Sequence, residues 1–331
     1  MRAVGALLFA LCVSANAQGR DCPDGVPWQP VAPGVWAWSP PAPQEVSPDN
    51  AGHVVPTSVL IDGGEALLVD PGPSLRHGER VRASLACRFG VQVRWIVNTH
   101  AHAENVLANG AWSDRIETGQ TTVLATEGTR RAMEQRCPAC LQSLIERAGA
   151  QAMAGTAIVW PTRGLIKGEV LAVGAQRLRV MRVEQGHTES DLVLWHAQQG
   201  VLWAGGLVYG ERLPELAQGS VDGWLAALDR LQALRPRHVI GAVVSSAQGD
   251  SGPVALSGTR GYLQALRDQV LSAMDQGRHA GESATVPMPE WRGWAGHAQR
   301  QDFNVQRAWR ELEPLWMRQA PPPASAEQVG R

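Results

Sequence analysis

Short apolar runs bounded by glycine or polar residues predict β-strands along much of the chain. These runs lie at 35–38, 58–62, 66–70, 94–98, 168–173, 176–183, 191–197, 200–204 and 238–244. Asp62-Gly63-Gly64-Glu65 and Gln198-Gln199-Gly200 each separate two runs by a few turn-forming residues. Both segments therefore predict a β-hairpin.

Segments with helical spacing of apolar residues alternate with these strands. They lie at 76–88, 127–148, 222–234, 259–276 and 300–317. Gly149 follows the second segment and is a typical helix stop, because glycine is favoured just after a helix C-terminus. Clusters of strands alternating with helices predict two sheets packed together, with the helices outside.

The N-terminus has the pattern of an export signal. Arg2 precedes an apolar run that is too short to span a bilayer, and Ala15-Asn16-Ala17 matches a signal cleavage site. We therefore expect a periplasmic or secreted protein. Its expected parts are a signal peptide at 1–17, an N-terminal extension at 18–34, a main domain at 35–245, a C-terminal helical part packed on that domain at 246–318 and a disordered tail at 319–331.

Charge is almost balanced along the chain. The 30 Lys and Arg residues face 31 Asp and Glu residues, which gives a formal net charge of -1. No overall field therefore favours nucleic acid or anionic lipid. No segment after the N-terminal run is apolar enough to predict a membrane span. We expect a small-molecule substrate, and the sequence leaves the oligomeric state open.

Three histidines form the clearest chemical pattern. His100 and His102 follow the apolar run that ends at Val97, so both lie where a strand ends. In extended backbone, residues i and i+2 project to the same side, and two imidazoles can then reach one ion. His187 lies on a second loop, directly before the run at 191–197. The pattern favours a three-histidine metal site over histidines that are merely solvated or hydrogen-bonded.

Four cysteines remain after the predicted signal peptide. Cys137 and Cys140 form a C-x-x-C pair, for which we favour a local disulfide over a redox-active dithiol, unpaired thiols or metal ligands. A bond between Cys22 and Cys87 would anchor the N-terminal segment to the body, but spacing alone does not establish this pairing.

With these elements in place, the sequence resembles the metallo-β-lactamase superfamily of metallohydrolases. The resemblance covers about residues 35–245. It rests on Leu68-Val69-Asp70-Pro71-Gly72, Asn98-Thr99-His100-Ala101-His102, Gly186-His187-Thr188 and Leu202-Trp203-Ala204-Gly205. The implied fold is α/β (α+β), an αββα sandwich of two mixed sheets with outer helices and a site along one edge. Asp70 would then support the metal loop from behind the ligands.

Weaker motifs resemble an exported branch associated with quinoprotein relay and sulfur-oxidation gene clusters. They are Cys137-x-x-Cys140, Met153-Ala154-Gly155-Thr156 and Asn304-Val305-Gln306-Arg307. This resemblance implies a periplasmic redox-relay partner.

The chain departs from the superfamily pattern where a second metal would bind. Glu104 and Asn105 occupy the places of an Asp and a His, Gly206 occupies that of a bridging Asp, and the last His is replaced near Val243. Several nitrogen or oxygen donors are thus lost, and a second divalent ion needs them. We therefore expect one zinc ion, held by His100, His102 and His187.

Other residues have secondary expected roles. Glu104 would orient or deprotonate the attacking water, or else be a solvated carboxylate or a partner of a ligating histidine. Asp191 would begin a strand and hydrogen-bond a ligand. His53 lies in a turn that would face the cleft in the resembling fold, so we predict a substrate contact.

Two functions follow from these expectations. The first is an exported zinc hydrolase that cleaves an ester, thioester, amide or similar bond with metal-activated water. The alternative is a catalytically degenerate binding or accessory protein in a periplasmic quinoprotein or sulfur-oxidation relay. The retained histidines favour the first function, and the lost second-site donors favour the alternative.

Overall fold

The computed structural model describes Cys22 and residues 25–249 and 252–319. The predicted signal peptide at 1–17 and the predicted tail from residue 320 onward lie outside these residues. None of the helices in the described parts of the chain is both long and apolar enough to cross a membrane.

Seven strands form the first sheet, and they lie side by side in chain order. The first four strands pair antiparallel, whereas the pairs from the fourth to the seventh are parallel. The strands are β1 (Gln29–Ala32), β2 (Val35–Trp38), β3 (Thr57–Asp62), β4 (Glu65–Val69), β5 (Gln92–Val97), β6 (Thr122–Ala125) and β7 (Arg163–Gly164). The first of them comes from the predicted N-terminal extension, so that segment contributes to the sheet.

Six strands form the second sheet, in the order β13-β12-β11-β10-β9-β8. They are β8 (Val170–Val173), β9 (Gln176–Glu184), β10 (Ser190–His196), β11 (Val201–Gly205), β12 (His238–Gly241) and β13 (Val244–Ser246). Only the β11–β12 pair is parallel. All residues of β10 are buried, because both faces of this inner strand are covered; this explains its continuous apolar run in the sequence.

Helices cover the outer faces of both sheets. They are α1 (Leu75–Ser84), α2 (Ala103–Val106), α3 (Ser113–Glu117), α4 (Glu127–Ala148), α5 (Val221–Ala233), α6 (Val254–Asp275) and α7 (His297–Gln319). Leu67 and Leu124 of the first sheet meet Leu192 and Trp203 of the second in a buried core. Full burial of each such side chain stabilises the fold by about 1.5–3 kcal/mol. The predicted αββα sandwich is therefore confirmed.

The C-terminal helices share a core with the second sheet. Leu263 of α6 and Trp309 of α7 pack in the same buried cluster as Trp224 of α5 and Leu202 of β11. This part of the chain is therefore continuous with the sandwich.

Most predicted elements agree with the structure within a few residues, but the strand predicted at 238–244 does not. This segment forms two antiparallel strands, β12 and β13, because the amide N–H of Gly241 donates to the carbonyl of Val243 and closes a tight turn. In addition, α6 begins at Val254, five residues before the predicted start at 259. Both predicted hairpins are confirmed, as β3–β4 and β10–β11.

The cysteines pair differently from the favoured interpretation. Cys22 and Cys87 form a disulfide with their Cα atoms 6.0 Å apart, whereas Cys137 and Cys140 are free thiols in α4. The predicted Cys137–Cys140 disulfide is therefore wrong for this structure. The physical reason is that the two side chains pack in different apolar clusters, Cys137 beside Ala101 and Cys140 against another group of residues.

Candidate metal centre

The three predicted histidines meet at one edge of the sandwich. His100 and His102 follow β5, and His187 precedes β10. All three are buried, and one ring nitrogen from each lies within 4.8 Å of the others. The strand ends thus bring together residues that are 85 positions apart in the sequence.

A hydrogen-bond chain fixes the ring of His100. Asp70 accepts from the Thr99 backbone N–H at 2.9 Å and from the Thr99 hydroxyl at 2.6 Å. Because that hydroxyl donates to Asp70, it accepts from Nδ1–H of His100 at 2.8 Å. Nε2 of His100 is then unprotonated and free to bind a metal. Asp70 thus occupies the supporting position that the sequence predicted.

Gln218 fixes the ring of His102 in the same way. The Gln218 side-chain oxygen lies 3.1 Å from Nε2 of His102, and a carbonyl oxygen can only accept. Nε2 of His102 therefore carries the proton, and Nδ1 faces Nε2 of His187 at 3.1 Å. The two rings present their remaining nitrogens to the same point.

Burial keeps the imidazoles of His100 and His187 neutral, and metal binding requires neutral imidazoles. Burial lowers the pKa of His100 well below its ordinary value, and the neighbouring His102 lowers it further. Burial, with the rings of His102 and His100, has the same effect on the pKa of His187. Three buried imidazoles, each with one ring nitrogen aimed at the same point, are the donor set that zinc takes in three-histidine sites. The residues present therefore fit a single zinc ion.

Asp191 holds the loop that carries His187. Its carboxylate accepts from the backbone N–H of Thr188 at 3.0 Å and from the Thr188 hydroxyl at 2.9 Å. Burial raises the pKa of Asp191 to about 7, although these hydrogen bonds oppose the rise. Asp191 thus lies behind a ligand, where the sequence predicted a supporting residue.

The residues at the positions that would hold a second metal make other contacts. A Cβ atom at Gly206 would lie 2.1 Å from Cδ2 of His187 and 3.0 Å from Nε2 of His100. Burial raises the pKa of the Asp70 carboxyl to about 6, and a hydrogen bond from the buried Asn105 side chain opposes this rise. Val243 lies against Gly210, where a Cβ atom would be 2.8 Å from it. Gly206 and Val243 have no side-chain atom that can bind a metal, and the Asn105 side chain is hydrogen-bonded to Asp70.

A cleft of about 270 Å³ opens beside the histidines. Its lining includes His102 and Glu104, with Cys140 and Arg147 from α4 on one wall and Arg212 on another. Burial raises the pKa of Glu104, but the charges of His102, Arg212 and Arg147 outweigh it and hold this pKa below its usual value. Glu104 is therefore ionised at neutral pH, and it lines the cleft two residues after His102.

Arg212 is a buried cation in this cleft, with 3% of its surface exposed. Its Nε donates to Glu45 at 3.4 Å, and its guanidinium carbon lies 5.8 Å from the centre of the Tyr209 ring. No described residue accepts a hydrogen bond from its two terminal amino groups. These groups are available to a ligand in the cleft.

The structure does not bring His53 into the cleft lining. Its Nε2 lies 3.3 Å from the Trp38 carbonyl, and its ring packs against Trp38 and His77. A substrate contact by His53 therefore remains a prediction without structural support.

Sequence analysis missed two kinds of residues at this site. Thr99 lies inside the histidine motif, so its hydroxyl beside His100 was a signal that could have been used. Gln218 is 116 residues from His102. Nothing local marks Gln218 or Arg212 as site residues.

Comparisons with known proteins agree with this architecture. Residues 51–242 match the family model "Metallo-beta-lactamase superfamily". No curated protein sequence matches the chain.

Solved structures show the same fold. A metallo-β-lactamase from Pontibacter korlensis has a TM-score of 0.54 at 20% identity, covering 72% of this chain and 98% of its own. The metallo-β-lactamase FIM-1 from Pseudomonas aeruginosa in its mono-zinc form has a TM-score of 0.53 at 19% identity, covering 72% and 94%. A metallo-β-lactamase from Hirschia baltica has a TM-score of 0.52 at 16% identity, covering 71% and 96%.

Proposed function

Because the chain belongs to the metallo-β-lactamase superfamily, we propose that it is an exported hydrolase with one zinc ion. The expected substrates contain an ester, thioester, amide or similar bond. The observation that carries the proposal is the set of buried nitrogens of His100, His102 and His187, all within 4.8 Å of one another. FIM-1 was solved in a mono-zinc form, so another protein of this fold holds a single zinc.

The zinc ion would be held by the three histidines, and when bound it supplies a Lewis acid that ionises water near neutral pH. Glu104 is ionised and lines the cleft, so it orients a water molecule and accepts a proton from it. Asp70, through Thr99, and Gln218 keep the ligand rings of His100 and His102 in the required tautomers. The three histidines are buried, which limits the access of bulk water to them.

Arg212 supports a substrate that carries a negative charge. A buried guanidinium with free amino groups is well suited to bind a carboxylate, often by two parallel hydrogen bonds. Such an anion would be held beside Glu104 and His102, which line the same cleft. We therefore propose an anionic acyl compound as substrate.

Export is supported by the Cys22–Cys87 bond, because structural disulfides persist in oxidising compartments. The predicted signal peptide at 1–17 supports the same location. N-terminal sequencing of protein purified from a periplasmic fraction tests it, with a start near Gln18 expected.

The first experiment measures zinc by mass spectrometry in the exported protein and in His100→Ala and His187→Ala. We expect about one zinc per chain in the wild type and loss of zinc in both variants. His238→Ala is a matched control, because His238 lies on β12 and bonds Ser246 instead. Zinc-loaded protein that hydrolyses no member of a broad ester and thioester panel would contradict the proposed activity.

A second candidate function is a noncatalytic accessory protein of a periplasmic quinoprotein or sulfur-oxidation relay. The observation that favours it is Gly206, where a bridging carboxylate would be needed for a two-metal enzyme. Capture from periplasmic extract, with and without zinc, tests this function. Recovery of a quinoprotein or sulfur-oxidation component is expected, and its absence would contradict the relay role.

A further inference from the structure

A polar stripe runs along one face of α7. Arg300, Asn304, Arg307 and Glu311 recur at intervals of four, three and four residues, the spacing that places side chains on one side of a helix. Asn304 is fully buried, and the other three are half-buried. A helix packed on a core normally presents apolar residues on its inner face, so buried polar groups need a specific partner.

The partner is the end of the β11–α5 loop, which we define as residues 206–220. Asn304 donates to the carbonyl of Pro214 at 2.8 Å and accepts from the N–H of Leu216 at 3.2 Å. One helical turn later, Arg307 donates to the carbonyl of Gly219 at 2.8 Å. The contacts thus follow the loop in chain order.

Glu311 completes this series at the start of α5. Its carboxylate accepts from the Ser220 hydroxyl at 2.7 Å and from the N–H groups of Val221 at 3.0 Å and Asp222 at 3.3 Å. These N–H groups belong to the first turn of α5 and have no partner within that helix. A carboxylate is also favoured there by the helix dipole.

The loop held in this way touches the metal centre at two points. Gln218 accepts from Nε2 of His102. The backbone of Gly219 lies so close to the His187 loop that a Cβ atom would be 2.4 Å from the Gly186 carbonyl oxygen and 2.9 Å from that of His187. A displacement of this loop would therefore disturb the positions of two of the three proposed ligands, His102 and His187.

We propose that Asn304, Arg307 and Glu311 are positioning residues for the metal centre, acting through the β11–α5 loop and Gln218. The inference rests on the proposed zinc site. It adds α7 to the elements that support this site, and α7 lies outside the residues that match the family, 51–242. No helix or strand forms at 214–219, where the backbone makes a turn hydrogen bond from the N–H of Gly219 to the carbonyl of Leu216. The carbonyls of Pro214 and Gly219 and the N–H of Leu216 are bonded instead by side chains of α7. Without those partners Gln218 loses its fixed position, and His102 loses the acceptor that selects its tautomer.

The experiment has two readouts on the full chain. Zinc affinity is measured by competition with a chromophoric chelator, and the tautomer of His102 is measured by ¹⁵N NMR on metal-free protein. Removing a hydrogen-bond partner of a ligand typically weakens metal binding by about 10–100-fold, so we expect this range for Gln218→Ala. Arg307→Ala should weaken zinc binding about tenfold and reduce the Nε2–H form of His102.

A double variant separates positioning from general destabilisation. If Arg307 acts through Gln218, Arg307→Ala should have little further effect on zinc affinity in the Gln218→Ala background. Arg310→Ala is the matched control, because Arg310 is exposed on the same helix and should leave both readouts unchanged. Arg307→Lys keeps a donor and should recover part of the affinity.

Two results would overturn the inference. One is an unchanged His102 tautomer and zinc affinity in Arg307→Ala. The other is a double variant whose fold-loss of zinc affinity equals the product of the losses in Arg307→Ala and Gln218→Ala. If the wild type binds no zinc, the proposed hydrolase fails, but the tautomer readout still decides whether α7 positions Gln218. Glu311→Gln, which keeps the shape of the side chain, repeats the test if Arg307→Ala does not fold.

Discussion

Gly206 allows a direct test of the proposal that this centre holds a single metal ion. Restoring a carboxylate by Gly206→Asp should not create a second metal site, because any side chain at this position collides with the first. The Cβ atom would lie 2.1 Å from Cδ2 of His187, 2.7 Å from Nε2 of His187 and 3.0 Å from Nε2 of His100. The φ angle of Gly206 is not positive, so its backbone accepts alanine and only the neighbours oppose it.

The size of the effect follows from these distances. Carbon atoms in contact are normally about 3.5–4.0 Å apart, so the His187 ring must move by more than about 1 Å. Metal–ligand distances tolerate only about 0.2 Å. We therefore expect Gly206→Ala and Gly206→Asp to weaken zinc binding at least about 100-fold, comparable to the larger losses seen when a ligand's support is removed. Overpacking should also lower the free energy of unfolding by about 1–3 kcal/mol.

The assay compares zinc content, zinc affinity and denaturant unfolding in the wild type and the Gly206 variants. Gly261→Ala is the matched control, because a Cβ atom at this position in α6 meets nothing within 4 Å. It should leave zinc binding unchanged and raise stability by about 0.5–1 kcal/mol. A Gly206→Asp protein that binds two zinc ions, or a Gly206→Ala protein with wild-type affinity, would refute this reasoning.

Three further predictions concern other parts of the molecule. Replacing Cys22 and Cys87 by serine should lower the free energy of unfolding by about 4 kcal/mol, because the bond closes a loop of 65 residues; denaturant unfolding with and without reductant measures this. Burial lowers the pKa of His53 to about 4 and that of His77 well below its ordinary value. The unfolded chain then binds more protons than the folded chain below about pH 6.5, so the free energy of unfolding should fall as the pH falls towards 4, by about 3 kcal/mol for His53 alone. Unfolding curves at a series of pH values measure this. The dependence of the free energy of unfolding on pH should be weaker in His53→Gln, and an unchanged dependence would contradict the assignment. Arg212→Met should raise KM about 10–100-fold for an anionic ester but not for its neutral analogue, and equal effects on both substrates would exclude an anion contact.

The parts of the site that the sequence predicted depend on local geometry. His100 and His102 are two residues apart in the segment that follows β5, so their closeness in the sequence was enough to predict that they lie together. His187 lies three residues before Ser190, where β10 begins. Strand ends can be recognised from apolar runs, and ligands attached to them are therefore visible in the sequence.

The missed parts depend on contacts between distant segments. Gln218 reaches His102 only because the β11–α5 loop folds over the sheet edge, and α7 holds that loop from nearly 90 residues away. Local proximity also misled the sequence analysis at Cys137 and Cys140. The two thiols are three residues apart in a helix, but their side chains pack in different clusters.

The altered second-site positions contribute to the proposed one-metal centre instead of leaving it incomplete. The Asn105 side chain hydrogen-bonds the Asp70 carboxyl and opposes the rise of its pKa that burial causes, so it supports the carboxylate that orients His100 through Thr99. Gly206 allows the backbone to approach His187 more closely than any side chain would permit. A histidine at 105 would have to give up the contact with Asp70 in order to bind a metal. Restoring the second-site residues one at a time should therefore weaken the first site before a second could form.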